Sequence, residues 1–236
     1  MREVFMSTYL QQTVSQLEHT CSKYHLGAAV VLVFSIILLP LIPFLTLAGF
    51  IISIILFYQA QEVSGQKITF ESGIQGERRL RGILSLILPD NYTVFYGYQI
   101  PNGGDIDCIV IGPKGVFVIE VKNHKGNIAY TSEGWHHIKI GQRGTAYKGS
   151  LKDPGRQVVR GSMEIKKLLL SYGIKVPITA LVVFTNQDAK LFVESENPKF
   201  KILKVEELPQ FFEHLPEKLK DETVERISRV IEANKK

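Results

Sequence analysis

With 236 residues, of which 45% are hydrophobic, the chain has room for one ordinary globular domain and an appendage. Two cysteines, Cys21 and Cys108, are too few for a disulfide framework and too far apart in sequence for a zinc motif, which fits a reducing compartment. The formal net charge of +5 suits polyanions and anionic lipid headgroups about equally and does not choose between them.

Residues 1–25 read as a polar lead-in without chemical features. The next block, 26–58, runs LGAAVVLVFSIILLPLIPFLTLAGFIISIILFY, and no full charge occurs between Lys23 and Glu62. A cleaved signal sequence has an apolar core of about 7 to 15 residues, so this block is too long to be one. A single spanning helix needs about 20 apolar residues, which makes the block too long for one span and slightly short for two. Pro40 and Pro43 divide it into arms at 26–39 and 44–58, and the expectation is a transmembrane helical hairpin embedded in a lipid bilayer. Arg2 and Lys23 precede the hairpin and Lys67 follows it, while the link between the arms has no Lys or Arg. The positive-inside rule then puts both termini, and the soluble domain with them, on the cytoplasmic side of a multi-pass membrane protein. One tilted or kinked span, and a buried hairpin in a soluble protein, are the competing readings.

After a polar connector at 59–70, a helix is expected over 75–88, with Leu80, Leu84 and Leu88 at helical spacing and Pro89-Asp90-Asn91 ending it. Three strands follow, at 93–100, 105–112 and 115–123, separated by PNGG and GPKG turns. A further hairpin is expected from 127–130 and 135–140, then a glycine-rich basic loop. Asp153 and Pro154 supply cap and first turn for a helix to about residue 171. ITALVVFT, at 178–185, has the continuous apolar character of a strand covered on both faces. Residues 201–205 read as a short strand, and 224–231 belong to a charged amphipathic helix. The sum is an α/β sandwich, a mixed central sheet flanked by helices. No repeat, glycine-rich phosphate loop, zinc spacing or EF-hand is present.

The chemistry concentrates around the GPKG turn. If Pro113 and Lys114 are its central residues, Gly112 faces Gly115, and the same register sets Asp107 opposite Glu120. Two carboxylates about 5 Å apart repel. A divalent cation removes that objection, since magnesium is commonly held by one or two carboxylates together with waters and phosphate oxygens. Glu120 and Lys122 share a strand face. An ammonium there can orient or help deprotonate an attacking water, or neutralise charge on a phosphorane-like transition state. The bland alternative is a salt bridge at a strand end. Glu77 shares the stripe of Leu80 and Leu84 and so points toward the sheet end, where it would complete or polarise a metal site. Gln157 lies in the first turns of the later helix, where its amide can address substrate or metal-bound water. Basic runs at Arg78, Arg79 and Arg81, and from Lys139 through Arg143, Lys148, Lys152 and Arg156 to Arg160, are the candidate polyanion surface. His124, His136 and His137 read as surface or packing residues rather than zinc ligands, and Trp135 as a hairpin or core residue.

The ordered pieces Gly76-Glu77, Gly104-Asp105-Ile106-Asp107, GVFVIEVKN at 115–123 with Gly126, Trp135, and Asp153-Pro154 with Gln157 resemble the nuclease-related domain family, NERD. The resemblance covers about residues 71–186. That family is considered similar to the PD-(D/E)xK nuclease superfamily, so the resemblance implies a restriction-endonuclease-like fold over 71–190, followed by an extension at 191–236. It further implies Asp107 and Glu120 as metal carboxylates, Lys122 as the motif lysine, Glu77 as the helical glutamate and Gln157 as the polar residue of the later helix. Two departures stand out: Ile106 precedes Asp107 where the superfamily has proline, and Asp153 replaces the usual asparagine. The expected activity is hydrolysis of phosphodiester bonds in DNA with Mg2+ or Mn2+, with Arg78, Arg79, Arg143 and Lys148 on the nucleic-acid backbone. The alternative is a catalytically idle, membrane-tethered module that binds nucleic acid or a membrane or DNA-processing protein.

Overall fold

The computed structural model describes residues 2–38, 43–100, 104–141, 144–194, 197 and 199–235. It divides into two compact units, residues 1–74 and 75–236. The first contains helix α1 (Arg2–Leu38) and the opening part of α2 (Pro43–Ile87). Pro43 stands at the first position of α2, where no intrahelical partner for an N–H exists and proline is tolerated. Residues 39–42, with Pro40 and most of the expected link, lie outside the described residues.

The two helices of this unit run antiparallel. Lys67 Nζ meets Glu18 Oε1 at 2.6 Å, Cys21 Sγ meets Ser64 Oγ at 2.9 Å, and Ser53 Oγ donates to the Ala28 carbonyl at 2.6 Å. Further along, a Cβ added to Gly49 would overlap Ser35 Oγ. Small and hydroxylic residues thus fill the seam, with Ser35, Thr46, Ser53 and Ala60 buried, while Phe34, Ile37, Leu47, Ile51, Ile54 and Phe57 face outward. A water-soluble helix pair buries its large apolar side chains; here the arrangement is inverted. Both helices contain a stretch long and apolar enough to cross a membrane, Gln12–Ile37 and Thr46–Ile87. Residues 59–70, anticipated as a polar connector, are helical, and the helix anticipated from residue 75 is the end of the continuous α2. The polar side chains that suggested a linker take part in the helix pairing through Ser64 and Lys67.

The second unit has two sheets flanked by helices. Its strands are β1 (Thr93–Gln99), β2 (Asp105–Gly112), β3 (Gly115–Lys122), β4 (Gly126–Thr131), β5 (Gly134–Ile140), β6 (Ala146–Lys148), β7 (Ile178–Phe184), β8 (Ala189–Val193) and β9 (Lys201–Lys204). Helices α3 (Pro154–Ser171), α4 (Leu208–Glu213) and α5 (Asp221–Ala233) complete it. The larger sheet has the order β1-β2-β3-β7-β9, antiparallel over its first three strands and parallel from β3 through β7 to β9. The smaller has the order β6-β5-β4-β8, so the expected hairpin belongs to a sheet of its own, joined in parallel by β8.

Both faces of the larger sheet are covered. Ile109, Ile111, Val116, Val118 and Val182 pack with Val158, Ile165 and Leu169 of α3 and with Ile227 and Ile231 of α5. On the other face, Cys108, Val110, Phe117, Ile119, Leu181 and Val183 pack with Leu80 and Leu84 of α2 and with Leu208 and Phe212. This double coverage explains why β3 and β7 read as continuous apolar runs. Asp153 caps α3, its Oδ1 accepting from the Arg156 amide at 2.9 Å. The last turn of α3 leads through residues 172–177 to Ile178, which pairs with Val116 at the beginning of β3. The helix therefore runs back against β3 and β7, and its first turns stand over the ends of those strands.

Candidate active site

The register of the β2–β3 hairpin agrees with expectation, from Gly112 opposite Gly115 down to Cys108 opposite Ile119. The ladder stops one pair short of Asp107 and Glu120. Instead, Asp107 Oδ2 accepts a hydrogen bond from the Val121 amide at 2.7 Å. The same position is irregular on the other side of β2. Tyr96 pairs with Cys108 and Tyr98 with Ile106, but no pair joins Gly97 to Asp107, and Gly97 has φ of 57°, a conformation open to glycine at little cost. The break is physical: β1 and β2 change face here, so that Phe95 and Tyr98, three apart, enter the same core cluster. Asp107 is thereby released from the ladder to reach β3.

Glu120 lies on the α3 side of the sheet, 7% exposed. Its Oε1 accepts from Lys122 Nζ at 2.6 Å, as the alternation of the strand requires. Burial, then the neighbouring Asp107, raises the Glu120 carboxyl to about 7, against the opposing pull of Lys122. Asp107 is also raised, by burial first, while the Val121 amide and Lys122 act the other way. Glu77 is raised to about 7 by burial and by Asp107, with Arg81 opposing. Its helix can come this near because residue 76 is glycine: a Cβ there would lie 2.8 Å from both Asn123 Cβ and Thr185 Oγ1. Asp107, Glu120 and Lys122 thus stand together at the carboxyl end of β3, the end of a parallel sheet segment at which ligands bind, while Glu77 comes from α2 on the other face and is within electrostatic reach of Asp107.

Gln157 belongs to the first turns of α3, one turn before Gly161, which packs on Ile106 and Val118. Its Oε1 is buried without a hydrogen-bond partner among the described residues, an acceptor in want of a donor. Sequence reasoning missed the floor of the site. Thr185 is fully buried, its N–H donates to the Lys122 carbonyl at 2.9 Å, and its Oγ1 donates to Asn123 Oδ1 at 3.4 Å. The TN pair after the β7 apolar run was the available signal.

The basic residues divide. Arg78 is exposed, whereas Arg79 Nη2 is held by Glu206 Oε1 at 2.7 Å and Arg81 stacks 4.1 Å over the Tyr96 ring. Lys148 is exposed on β6, and Arg143 lies outside the described residues. The histidines pack as expected: His137 is buried with Nε2 against the Lys125 carbonyl at 2.9 Å, edge-on to His124. Trp135 stacks among Tyr130, Phe184 and Phe200 in the core.

The chain's likeness to known proteins falls on this unit: residues 72–185 match the family model of the nuclease-related domain, NERD. No curated protein and no solved structure matches.

Proposed function

We propose that this chain is a membrane-anchored, divalent-metal-dependent nuclease that hydrolyses phosphodiester bonds in DNA, with a restriction-endonuclease-like arrangement of the PD-(D/E)xK kind. The observation that carries the reading is the buried Glu120 between Asp107 and Lys122 at the end of β3, inside the segment that matches the nuclease-related family. Carboxyls raised by burial and, for Glu77 and Glu120, by Asp107, with one lysine in contact, would form a donor set whose charge a divalent cation balances. Asp107 and Glu120 would hold Mg2+ or Mn2+, and Glu77 would complete or polarise the site from α2. When bound, such an ion supplies Lewis acidity toward a phosphoryl oxygen and lowers the pKa of its water. Lys122 Nζ, 2.6 Å from Glu120 Oε1, would orient an attacking water or neutralise charge developing at the phosphoryl oxygens. Gln157 Oε1 accepts a hydrogen bond from a water at the same place. Arg78 and Lys148, with Arg143, contact the phosphate backbone without reading sequence.

Membrane anchoring is supported by the inverted helix pair of residues 1–74, apolar outside and hydroxylic within. Charge around the apolar block favours a multi-pass topology with the second unit cytoplasmic.

A second reading, an idle site on a tethered binding module, is favoured by one observation. Among the described residues no three His, Cys, Asp or Glu stand close enough to hold a metal. Plasmid nicking by the detergent-held full chain in Mg2+ or Mn2+ separates the two. Cleavage by wild type that disappears in D107A, E120A and K122A supports the enzyme; DNA binding that all four proteins share, with no cleavage in any, supports the module.

A further inference from the structure

The outer face of the smaller sheet is not used by the site described above. Its inner face carries Ile128, Tyr130, Trp135 and Leu191 into the core. The pairing fixes what stands on the opposite side. Ala129 is flanked by Phe192 on β8 and by His136 on β5, giving one row across three strands. The next row runs across all four strands as Lys190, Asn127, Ile138 and Lys148. Phe192 is 64% exposed and Ile138 46%, and Asn127, Lys190 and Lys148 are exposed as well. A shallow depression of about 170 Å³ lies among the residues of β8, β4 and β5 on this face.

Two properties select an occupant. The four strands contain three lysines, Lys139, Lys148 and Lys190, and no carboxylate; Glu133, Asp188 and Glu194 stand only at turns and strand ends. With Lys190 on one edge strand and Lys148 on the other, the face is cationic at both rims and complementary to a polyanion. Its middle is flat, with an aromatic ring and an imidazole on either side of an alanine, a place where a planar ring can lie against Cβ and be bracketed. Strands two apart are separated by about 10 Å, enough for a base between Phe192 and His136. Duplex DNA hides its base faces, whereas a single strand presents them for stacking with cations along the backbone.

We infer that the outer face of the β6-β5-β4-β8 sheet binds single-stranded nucleic acid, with Phe192 as the stacking ring and Lys148 and Lys190 on the phosphates. The inference rests on the nucleic-acid reading above and adds the strandedness of the substrate. Two strands of this sheet start close in the chain to the strand ends that carry the site: β4 follows β3 after Lys122 and β8 follows β7 after Phe184.

The test is fluorescence anisotropy of a labelled oligothymidylate and of a duplex of equal length with the full chain held in amphipol, without metal, so that no cleavage occurs. Wild type is expected to prefer the single strand. F192A is expected to weaken single-strand binding about tenfold or more with the salt dependence unchanged, F192W to restore it, and the double variant K148A/K190A to lower the salt slope. Because the assay contains no metal and reads binding alone, its outcome is independent of whether the carboxylate site cleaves. Equal single-strand affinity of wild type and F192A overturns the assignment, as does an F192A effect confined to binding of phosphatidylserine vesicles.

Discussion

Asp107 and Glu120 are two neighbouring carboxylates whose surroundings differ, and the difference makes their substitutions separable. Asp107 satisfies the Val121 amide, so D107A leaves a donor without its partner and is expected to cost about 1–3 kcal/mol in a metal-free denaturant titration. Among the described residues Glu120 is held by Lys122; E120Q keeps an acceptor and removes a buried charge, and metal-free E120Q is expected to be at least as stable as wild type. Added Mg2+ or Mn2+ should raise the melting temperature of wild type by mass action. D107A and E120A are each expected to abolish that rise, while K122A keeps much of it and loses cleavage. Equal melting responses in wild type and D107A would leave the cluster a plain ion-pair network.

His124 gives a pH dependence distinct from that of the carboxylates. Burial, then His137 and Lys122, lowers it from 6.5 to about 4, against a hydrogen bond to the Ser150 backbone. A histidine with a depressed folded pKa binds fewer protons in the native state than in the unfolded state between those two values. Its contribution is therefore complete above about 6.5 and is lost as pH falls through about 4. Glu77 and Glu120, raised to about 7, act in the opposite sense over the same range, so the expected result is a difference: the wild-type denaturation midpoint falls relative to that of H124N as pH drops from about 6.5 to about 4. Parallel curves for the two proteins would refute the assignment to His124.

The elements show how few residues hold the site together. Helix α2 reaches the ends of β3 and β7 only because Gly76 has no side chain, while Leu80 and Leu84 fix it on Phe117, Ile119, Leu181 and Val183 of the same two strands. Any larger residue at position 76 must push against Asn123 Cβ and Thr185 Oγ1 and lift Glu77 away from the strand ends. G76V is expected to leave the fold cooperative and to weaken the metal-induced melting shift. L84A removes a core side chain and is expected to cost about 2–5 kcal/mol without touching the carboxylates. Loss of stability in L84A with an unchanged metal shift, set beside the reverse in G76V, distinguishes packing from positioning. Within the first unit, Gly49 plays a similar part against Ser35, since a side chain there would meet the facing helix.

Across the molecule, the first unit turns large apolar side chains outward and the second buries them. That contrast is expected to make the full chain resistant to carbonate extraction and soluble only with detergent. Release into the aqueous fraction by carbonate alone would defeat insertion, and accessibility of the two termini from opposite sides would defeat the hairpin.

The order of amino acids alone made the elements of the second unit and its candidate acids legible. Period-two and helical patterns are local, so β1 to β5, α3, β7 and α5 could be read to within a few residues, as could the register of the GPKG hairpin, which the turn sets. The apolar block between Lys23 and Glu62 was equally plain, because composition defines it. Other features depend on contacts between distant residues and became visible only in the folded chain. The segment at 59–70 is helical and pairs with α1 through Glu18 and Cys21, partners 49 and 43 positions away in sequence. The second sheet is completed by β8, which joins β4 from across the chain. Both ladders of β2 lack a pair at Asp107, beside Gly97 on another strand, and Arg79 is paired with Glu206, 127 positions away. Local pattern reports which face a residue prefers; only the packed chain brings the partner that changes what the residue can do.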